Sequence, residues 1–281
     1  MILDRIILPL VLVVVCCSCG GGAEPTASGA DGSRVIDQSA THITKTVVLT
    51  EGTNLSFAVD NKAENLVLAL QGQLFRVPRS GGKALTLLPS FDDAREPAID
   101  PRSDEVIYQS YRGGTWDLWR VPSAGGEPVA LTSDAWDDRE PHVSANGDVA
   151  FSSDRDGGYE IFVLRDGSMP ERLTNEQGNA HSPAWSPDAT HIAYAVDGHC
   201  PQDGLLRVLD LADGAARTLV TEAGVLAGVA WSADGLQISY QLLGRDTSGA
   251  PVTSLRRIDY IGGAPLVLSQ DGADVFPFRA S

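Results

Sequence analysis

Histidine and serine are the residues in this chain whose types could support hydrolytic chemistry. The five histidines are His42, His142, His181, His191 and His199. None of them falls in a His-x-His or His-Glu-x-x-His pattern, so their spacing gives no zinc-hydrolase signature. The chain also contains no Gly-x-Ser-x-Gly sequence. A serine hydrolase built on a nucleophile elbow is therefore not indicated.

Cys200 is the one cysteine that adjoins a histidine, His199, where a Cys–His pair could act as nucleophile and base. Neighbouring side chains in an extended chain point apart, so this pair is poorly placed for proton transfer. The Asp-x-Asp spacing of Asp154 and Asp156 could hold Ca²⁺, but it supplies too few ligands. We therefore predict no catalytic residue, no metal site and no cofactor.

Aspartate and arginine recur together, and they are the candidate binding residues. They are Asp92, Asp93, Arg95, Arg112, Asp137, Asp138, Arg139, Asp154, Arg155 and Asp156. Mixed carboxylates and guanidinium groups could form a polar rim that binds a peptide, a partner protein or a cation. They could instead tie neighbouring elements together and cap turns. Because the residues repeat at equivalent positions, the structural alternative is favoured.

The elements that must position these residues are copies of one repeat. Equivalent positions are Ala58, Ala98, His142, Ala184, Ala230 and Phe278. The copies follow one another at intervals of about 40 to 48 residues, which is typical of a propeller blade of four strands. Gly-Gly pairs such as Gly81-Gly82 and Gly125-Gly126 mark the tight turn before the last strand of a blade. No stretch of the body shows a sustained helical period of apolar residues.

The sequence predicts an all-β fold: a β-propeller of four-stranded antiparallel blades, with five complete blades and a partial sixth. Complete copies begin near residues 54, 96, 140, 182 and 228. Ile43–Leu49 is an extra strand before the first copy, and Val275–Ala280 is a first strand with nothing after it. Two interpretations remain: a propeller truncated at its C-terminal end, which we favour, or a ring of five blades that closes imperfectly.

The strands of a blade, named a to d, alternate in direction. The loops from strand d to the next strand a therefore emerge at the same end as the b–c loops, and every candidate rim residue falls in or beside these loops. The tryptophans fall mostly at equivalent strand positions, and we predict that they form core between blades rather than a sugar platform. They are Trp116, Trp119, Trp136, Trp185 and Trp231.

Residues 45–281 resemble the TolB-like propeller repeat. The family writes strand a as Pro-x-Trp-Ser-Pro-Asp-Gly, which Pro183–Asp188 matches, with Ala189 where Gly is usual. The family's Ser-x-Arg-x-Gly element is matched by Ser110–Gly114 and Ser153–Gly157. The resemblance implies the propeller fold and leaves the function open, since such propellers serve many roles.

The N-terminal residues resemble a lipoprotein leader. Ile6–Cys17 is an unbroken apolar run, too short to span a bilayer and typical of a secretory signal. The segment Cys16–Gly22 resembles the lipobox of bacterial lipoproteins, which implies lipidation at Cys19; an ordinary secretory signal with chance cysteines is the alternative. The predicted division is residues 1–19 as signal peptide, 20–41 as a flexible Gly/Ala/Ser-rich tether, and 42–281 as the propeller.

Composition limits the classes of partner. The chain has 281 residues, of which 43% are hydrophobic, so most of it can form a packed core. Its net charge of -16 argues against nucleic acid and anionic lipid as partners. We predict an envelope lipoprotein, tethered on the periplasmic side with the outer membrane favoured, whose non-catalytic propeller binds a protein or peptide. The alternative is the propeller portion of a hydrolase, of amidohydrolase or serine peptidase type, whose catalytic domain is absent from this chain.

Overall fold

The structure is a computed structural model that describes residues 10–16, 43–49, 55–166, 168–197, 203–245 and 248–271. All regular elements in these ranges are β-strands, which confirms the predicted all-β class. Within the same ranges no helix is long and apolar enough to cross a membrane. The predicted strand Val275–Ala280 lies outside the described residues, so the partial sixth blade stays a prediction.

The chain divides into two units, Met1–Gly52 and Thr53–Ser281. The first unit contains β1 (Leu10–Cys16) and β2 (Ile43–Leu49), which pair antiparallel along their whole length. Both sequences are rich in β-branched residues, which favour strands. The extra strand predicted at residues 43–49 is thus present as β2. Cleavage of the leader stays a prediction.

The second unit consists of five four-stranded sheets, the blades. Blade 1 has β3 (Ser56–Val59), β4 (Asn65–Leu70), β5 (Gln73–Pro78) and β6 (Leu85–Thr86). Blade 2 has β7 (Arg95–Ile99), β8 (Glu105–Ser110), β9 (Asp117–Pro122) and β10 (Val129–Ala130). Blade 3 has β11 (Asp138–Val143), β12 (Val149–Ser153), β13 (Glu160–Leu164) and β14 (Glu171–Arg172). Blade 4 has β15 (Asn179–Trp185), β16 (His191–Asp197), β17 (Asp203–Asp210) and β18 (Ala216–Ala223). Blade 5 has β19 (Val225–Trp231), β20 (Gln237–Arg245), β21 (Pro251–Asp259) and β22 (Leu266–Asp271).

The five blades form a propeller ring, as the repeat predicted. Each blade is a sequential antiparallel meander, so strands a, b, c and d follow one another in chain order. The a strands of consecutive blades contact one another, from β3 and β7 through to β15 and β19. The a–b turns of all five blades line one central cavity, which places them around a common axis.

The hydrophobic core lies between blades rather than within them. Val106 and Tyr108 of blade 2 pack with Val67 and Ala69 of blade 1 in a single buried cluster. Strand b is buried on both of its faces in blades 2, 3 and 4, because each of these blades packs between two neighbouring blades. A blade alone cannot bury its apolar faces, so the repeat is stable only as an array.

Strand a carries a β-bulge in blades 2 to 5, a feature that sequence analysis did not predict. The first bulged residue has a positive φ, and these residues are Glu96, Glu140, Ser182 and Gly228. The bulge turns the backbone N–H groups toward the preceding blade. Glu96 N–H donates to Ser56 Oγ at 2.9 Å, and Glu140 N–H donates to Gln109 Oε1 at 2.6 Å. The bulges therefore join strand a to the preceding blade, at its strand a for Glu96 and at its strand b for Glu140.

Candidate functional site

All of the candidate rim residues lie at one end of the ring. We call this end the first mouth, defined by d–a loops 87–94 and 131–137 and b–c loops 111–116 and 154–159. The opposite end, where the a–b turns lie, is the second mouth. The structure separates the rim pairs into two classes: pairs with a buried carboxylate, which hold the blades together (the buried class), and pairs in which both side chains remain partly exposed (the exposed class).

Asp92 and Arg112 form a pair of the buried class: the carboxylate is buried, while the Arg112 side chain is 34% exposed. Asp92 is 3% exposed, and its Oδ2 accepts a hydrogen bond from the Tyr108 hydroxyl at 2.6 Å. The Nε of Arg112 lies 2.7 Å from the other oxygen of Asp92. Burial raises the pKa of the Asp92 carboxyl, and burial with the bond to Asp92 raises the pKa of Tyr108. These three groups fix the d–a loop against strand b of blade 2.

The same Tyr–carboxylate–Arg group recurs in blades 4 and 5. Its members there are Tyr194, Glu176 and Arg207, and Tyr240, Glu222 and Arg256. Sequence analysis missed the recurrence because the carboxylate changes from Asp to Glu and the arginine moves from the b–c loop to strand c. The equivalent tyrosines of strand b were the signal that could have revealed it.

Blade 3 replaces this group with an aspartate–arginine pair. Asp138 is fully buried, and an Arg155 amino group donates to both of its oxygens, at 2.9 and 3.0 Å. Phe151 stands where blades 2, 4 and 5 have tyrosine, and the Arg155 guanidinium lies 5.0 Å from the ring centre of Phe162. Asp138 and Arg155 therefore stabilise the fold rather than form a binding surface.

Asp138 also belongs to an acidic cluster that resembles a cation site. Carboxylate oxygens of Asp117, Asp134 and Asp138 lie within 4.8 Å of one another. Arg155 already supplies a positive charge there, since it also lies 3.2 Å from Asp134. Burial, together with the nearby charge of Asp138, raises the pKa of Asp117 to about 6. The cluster is thus part of the blade 2–blade 3 contact.

We expect Asp117→Asn to raise the free energy of unfolding at pH 7.5 by about 1 to 3 kcal/mol. Because the folded-state pKa of Asp117 exceeds its ordinary value of 3.8, the folded protein binds this proton more tightly than the unfolded chain does. The contribution of Asp117 to wild-type stability therefore falls as the pH rises from about 4 to 6, and the variant should lack this contribution. Urea unfolding between about pH 4 and 8 measures the difference. An unchanged slope in that window would contradict the assignment.

The exposed class contains Arg95 and Arg139, at equivalent positions in blades 2 and 3. Their guanidinium groups lie 4.8 and 5.6 Å from the ring centre of Trp116. Each arginine also pairs with the carboxylate two residues before it, Asp93 at 3.1 Å for Arg95 and Asp137 for Arg139. The Arg95 and Arg139 side chains are 48% and 37% exposed, so both can still contact a ligand.

Exposed aromatic side chains lie in the same loops. Phe91 is 67% exposed, Tyr111 47% and Trp136 44%. The Tyr111 and Trp116 ring centres are 5.4 Å apart, and Arg139 lies 5.5 Å from the ring centre of Tyr159. Tyrosine, tryptophan and arginine are the residue types that dominate binding hot spots. The first mouth therefore combines aromatic anchors with charges of both signs.

The expected core role of the tryptophans holds for three of them. Trp185 is 5% exposed, and Trp119 and Trp231 pack partly buried against core clusters. The prediction is wrong for Trp136, which is exposed because it lies in a d–a loop rather than a strand.

The remaining rim carboxylates already have partners. Asp154 accepts a hydrogen bond from Asp137 N–H at 2.9 Å, and Asp156 pairs with Arg172 at 3.1 Å. The two aspartates thus connect the b–c loop of blade 3 to the preceding d–a loop and to β14.

The second mouth holds a cavity of about 480 Å³ that sequence analysis did not predict. All five blades contribute to it, and its wall includes Pro101, His142, Trp185 and Trp231. His142 Nδ1 accepts from Trp185 N–H at 3.3 Å, while the buried Trp185 Nε1 has no hydrogen-bond partner among the described residues.

His181 and His191 do not line this cavity, and each contacts a different polar side chain. His181 Nε2 lies 3.2 Å from an Asp197 oxygen, and His191 Nε2 lies 2.8 Å from the Tyr260 hydroxyl. His42 and the His199–Cys200 pair lie outside the described residues, as does Cys19.

Comparisons with known proteins agree with this architecture. No family model and no curated protein matches the chain by sequence. A putative TolB from Agrobacterium tumefaciens matches with a TM-score of 0.70 and 17% identity, over 81% of this chain and 84% of that one. TolB from Acinetobacter baumannii matches at 0.64 and 18% identity, over 80% of this chain and 56% of that one. An oligogalacturonate lyase in complex with manganese matches at 0.58 and 15% identity, over 80% of this chain and 68% of that one.

Identities this low show the fold alone. The fold is the TolB-like propeller that the repeat pattern indicated, and this prediction is confirmed. The chain spans little more than half the length of the Acinetobacter protein.

Proposed function

We propose that this protein is a non-catalytic binding module that takes a protein or peptide partner at its first mouth. The observation that carries the proposal is the exposed pairing of Arg95 and Arg139 with Trp116. The two arginines come from different blades, so a partner seated on them would contact both. The similarity to TolB propellers supports the propeller scaffold, and the binding role is argued from the residues of the first mouth.

The arrangement suits a peptide that carries an apolar side chain between charged groups. Phe91, Tyr111 and Trp136 offer aromatic surface at little cost in side-chain entropy. Asp93 and Asp137 lie beside the arginines, so a lysine and a carboxylate of the partner can both be paired. A mixed rim of this kind gives specificity more than affinity.

The proposed setting is the cell envelope, with the chain anchored by a lipid on Cys19 and the outer membrane favoured. The apolar run Ile6–Cys17 and the Gly/Ala/Ser-rich residues 20–41 support a leader followed by a tether. A tethered propeller would meet its partners within reach of the membrane surface.

A comparison of matched variants tests the binding proposal. The Arg95→Ala/Arg139→Ala double variant is expected to recover its partner from an envelope extract at least about tenfold less than wild type. Arg120→Ala is the control, since Arg120 is similarly exposed but lies on strand c and pairs with Glu105. The thermal midpoints of all three proteins establish that they are folded. If the double variant recovers every partner as well as wild type does, the first mouth is not the binding surface.

The alternative is the propeller portion of a hydrolase whose catalytic domain is absent from this chain. The match to the oligogalacturonate lyase supports this alternative, because it shows that the fold also occurs in an enzyme. The coding sequence after Ser281 discriminates the two. An in-frame continuation with His-x-His or Gly-x-Ser-x-Gly would support the enzyme.

A further inference from the structure

A small pocket lies between blades 4 and 5, at the end of the ring away from the proposed binding surface. The a–b turns of the two blades form its floor, with Ser186–Asp188 from blade 4 and Asp234–Gly235 from blade 5. Its wall consists of the rings of His191, Trp231 and Tyr260. The volume is about 150 Å³, the space of roughly five water molecules. A group of a few heavy atoms therefore fits.

The three rings form a continuous aromatic surface. Ring centres are 5.2 Å apart for His191 and Tyr260, 5.2 Å for Trp231 and Tyr260, and 6.5 Å for His191 and Trp231. The Arg217 guanidinium already lies 4.5 Å from the ring centre of Tyr260 and donates to the Tyr260 carbonyl oxygen. The cluster thus binds a cation within the molecule, as the negative face of an aromatic ring favours.

A chain of hydrogen bonds holds the wall in place. The Tyr260 hydroxyl lies 2.8 Å from His191 Nε2, and His191 Nδ1 lies 2.7 Å from Thr190 Oγ1. The Thr190 hydroxyl donates to Asp188 Oδ1 at 2.8 Å. Because the Thr190 hydroxyl donates to the carboxylate of Asp188, its oxygen is left to accept from His191 Nδ1. The pocket is therefore preorganised, and little ordering is needed when a ligand binds.

Two carboxylates stand beside the aromatic wall. Asp188 and Asp234 occupy equivalent places in their a–b turns, and each accepts from a serine hydroxyl at 2.6 Å, Ser186 for Asp188 and Ser232 for Asp234. These serine bonds are the main cause that lowers the pKa of both carboxyls. Among the described residues that line the pocket, none is a lysine or an arginine. The pocket therefore presents negative charge next to π faces.

We propose that this pocket binds a methylated ammonium cation, such as a trimethylammonium group. The rings provide cation–π attraction and contact for the methyl groups, while Asp188 and Asp234 supply the opposite charge. Ser186, Pro187 and Trp231 also line the cavity of the second mouth, so a larger molecule that carries the cation can approach from there. A methylated lysine and a choline headgroup both offer this chemistry.

Ligands that differ only in charge test the site. Choline, titrated into the protein and followed by NMR or calorimetry, is expected to bind at least about tenfold more tightly than 3,3-dimethylbutan-1-ol, its neutral isostere. Equal affinity would show that the pocket is merely apolar and would overturn the proposal, as would the absence of choline binding. A trimethyllysine peptide and phosphocholine, compared at equal concentration, then distinguish the two sources of the cation.

Variants assign the binding to the named residues. Asp188→Asn/Asp234→Asn keeps the acceptor oxygens of both turns and removes the charge, so choline binding should weaken at least about fivefold. Asp213→Asn is the matched control, because Asp213 accepts from Ala215 N–H in a similar turn away from the pocket. Unchanged affinity in the double variant would overturn the proposal.

A second pair of variants separates the ring from its hydroxyl. Tyr260→Leu should weaken choline binding at least about fivefold, whereas Tyr260→Phe keeps the ring and should lose less. Equal losses in the two variants would contradict a cation–π role for Tyr260. The Arg95→Ala/Arg139→Ala variant should bind choline like wild type, so this test can fail or succeed independently of the proposed function.

Discussion

Asp138→Ala is expected to lower the free energy of unfolding by about 3 kcal/mol at neutral pH. Asp138 has no exposed surface and accepts two hydrogen bonds from Arg155, whose side chain is only 14% exposed. Its removal leaves the guanidinium in a buried position, and the partly exposed Asp134 is then its one ion-pair partner among the described residues. A buried charge that loses its partner is one of the few changes that cost several kcal/mol. Urea unfolding followed by tryptophan fluorescence measures the loss.

Asp93→Ala is the control for this prediction. Asp93 also pairs with an arginine, Arg95, but both side chains are substantially exposed, so loss of the pair should cost less than about 1 kcal/mol. Asp93 has a φ of 48°, where alanine is less favourable than aspartate, which adds about 1 kcal/mol at most. A further variant, Asp138→Leu/Arg155→Met, replaces both charges and should recover part of the stability. If Asp138→Ala and Asp93→Ala lose the same amount, the distinction between buried and exposed rim residues is wrong.

Gly178→Ala should destabilise the protein by about 3 kcal/mol or more. A Cβ atom on Gly178 would lie 1.6 Å from the carbonyl oxygen of Asp197, which belongs to the backbone and cannot rotate away. Asn179, the next residue, pairs with Asp197 at the start of the β15–β16 ladder. Relief of the clash would therefore pull strands a and b of blade 4 apart at the first mouth.

Gly158→Ala is the matched control for Gly178→Ala. Its added Cβ would meet nothing closer than Asn179 Oδ1 at 3.7 Å, an ordinary contact. We expect a change within about 1 kcal/mol, because alanine also restricts the unfolded chain. Thermal and urea unfolding of the two variants provide the comparison. Equal midpoints would show that the a–b ladder of blade 4 tolerates the displacement.

The rim residues illustrate where sequence reasoning reaches its limit. Asp92 and Asp93 are adjacent and chemically identical, yet Asp92 is buried against Tyr108 while the Asp93 side chain is 34% exposed. Repetition along the chain favoured a structural role for the whole set. The structure assigns that role to Asp92, Arg112, Asp138 and Arg155, and leaves the exposed Arg95 and Arg139 available for binding.

The amino-acid sequence by itself determined the all-β class, the blade repeat and the two kinds of loop that share one end of the ring. These properties follow from the spacing of apolar residues and turn glycines, which act on neighbours in the chain or on the next copy. Five blades could therefore be counted without coordinates.

Only the tertiary structure decided which charges are buried, where the bulges turn the inner strands, and which residues meet in pockets. Tyr260 and His191 contact each other across two blades, and the second-mouth cavity takes residues from all five. Burial and pairing depend on distances between groups that are far apart in the chain, and small differences in blade packing set those distances. The local sequence pattern therefore does not predict these distances.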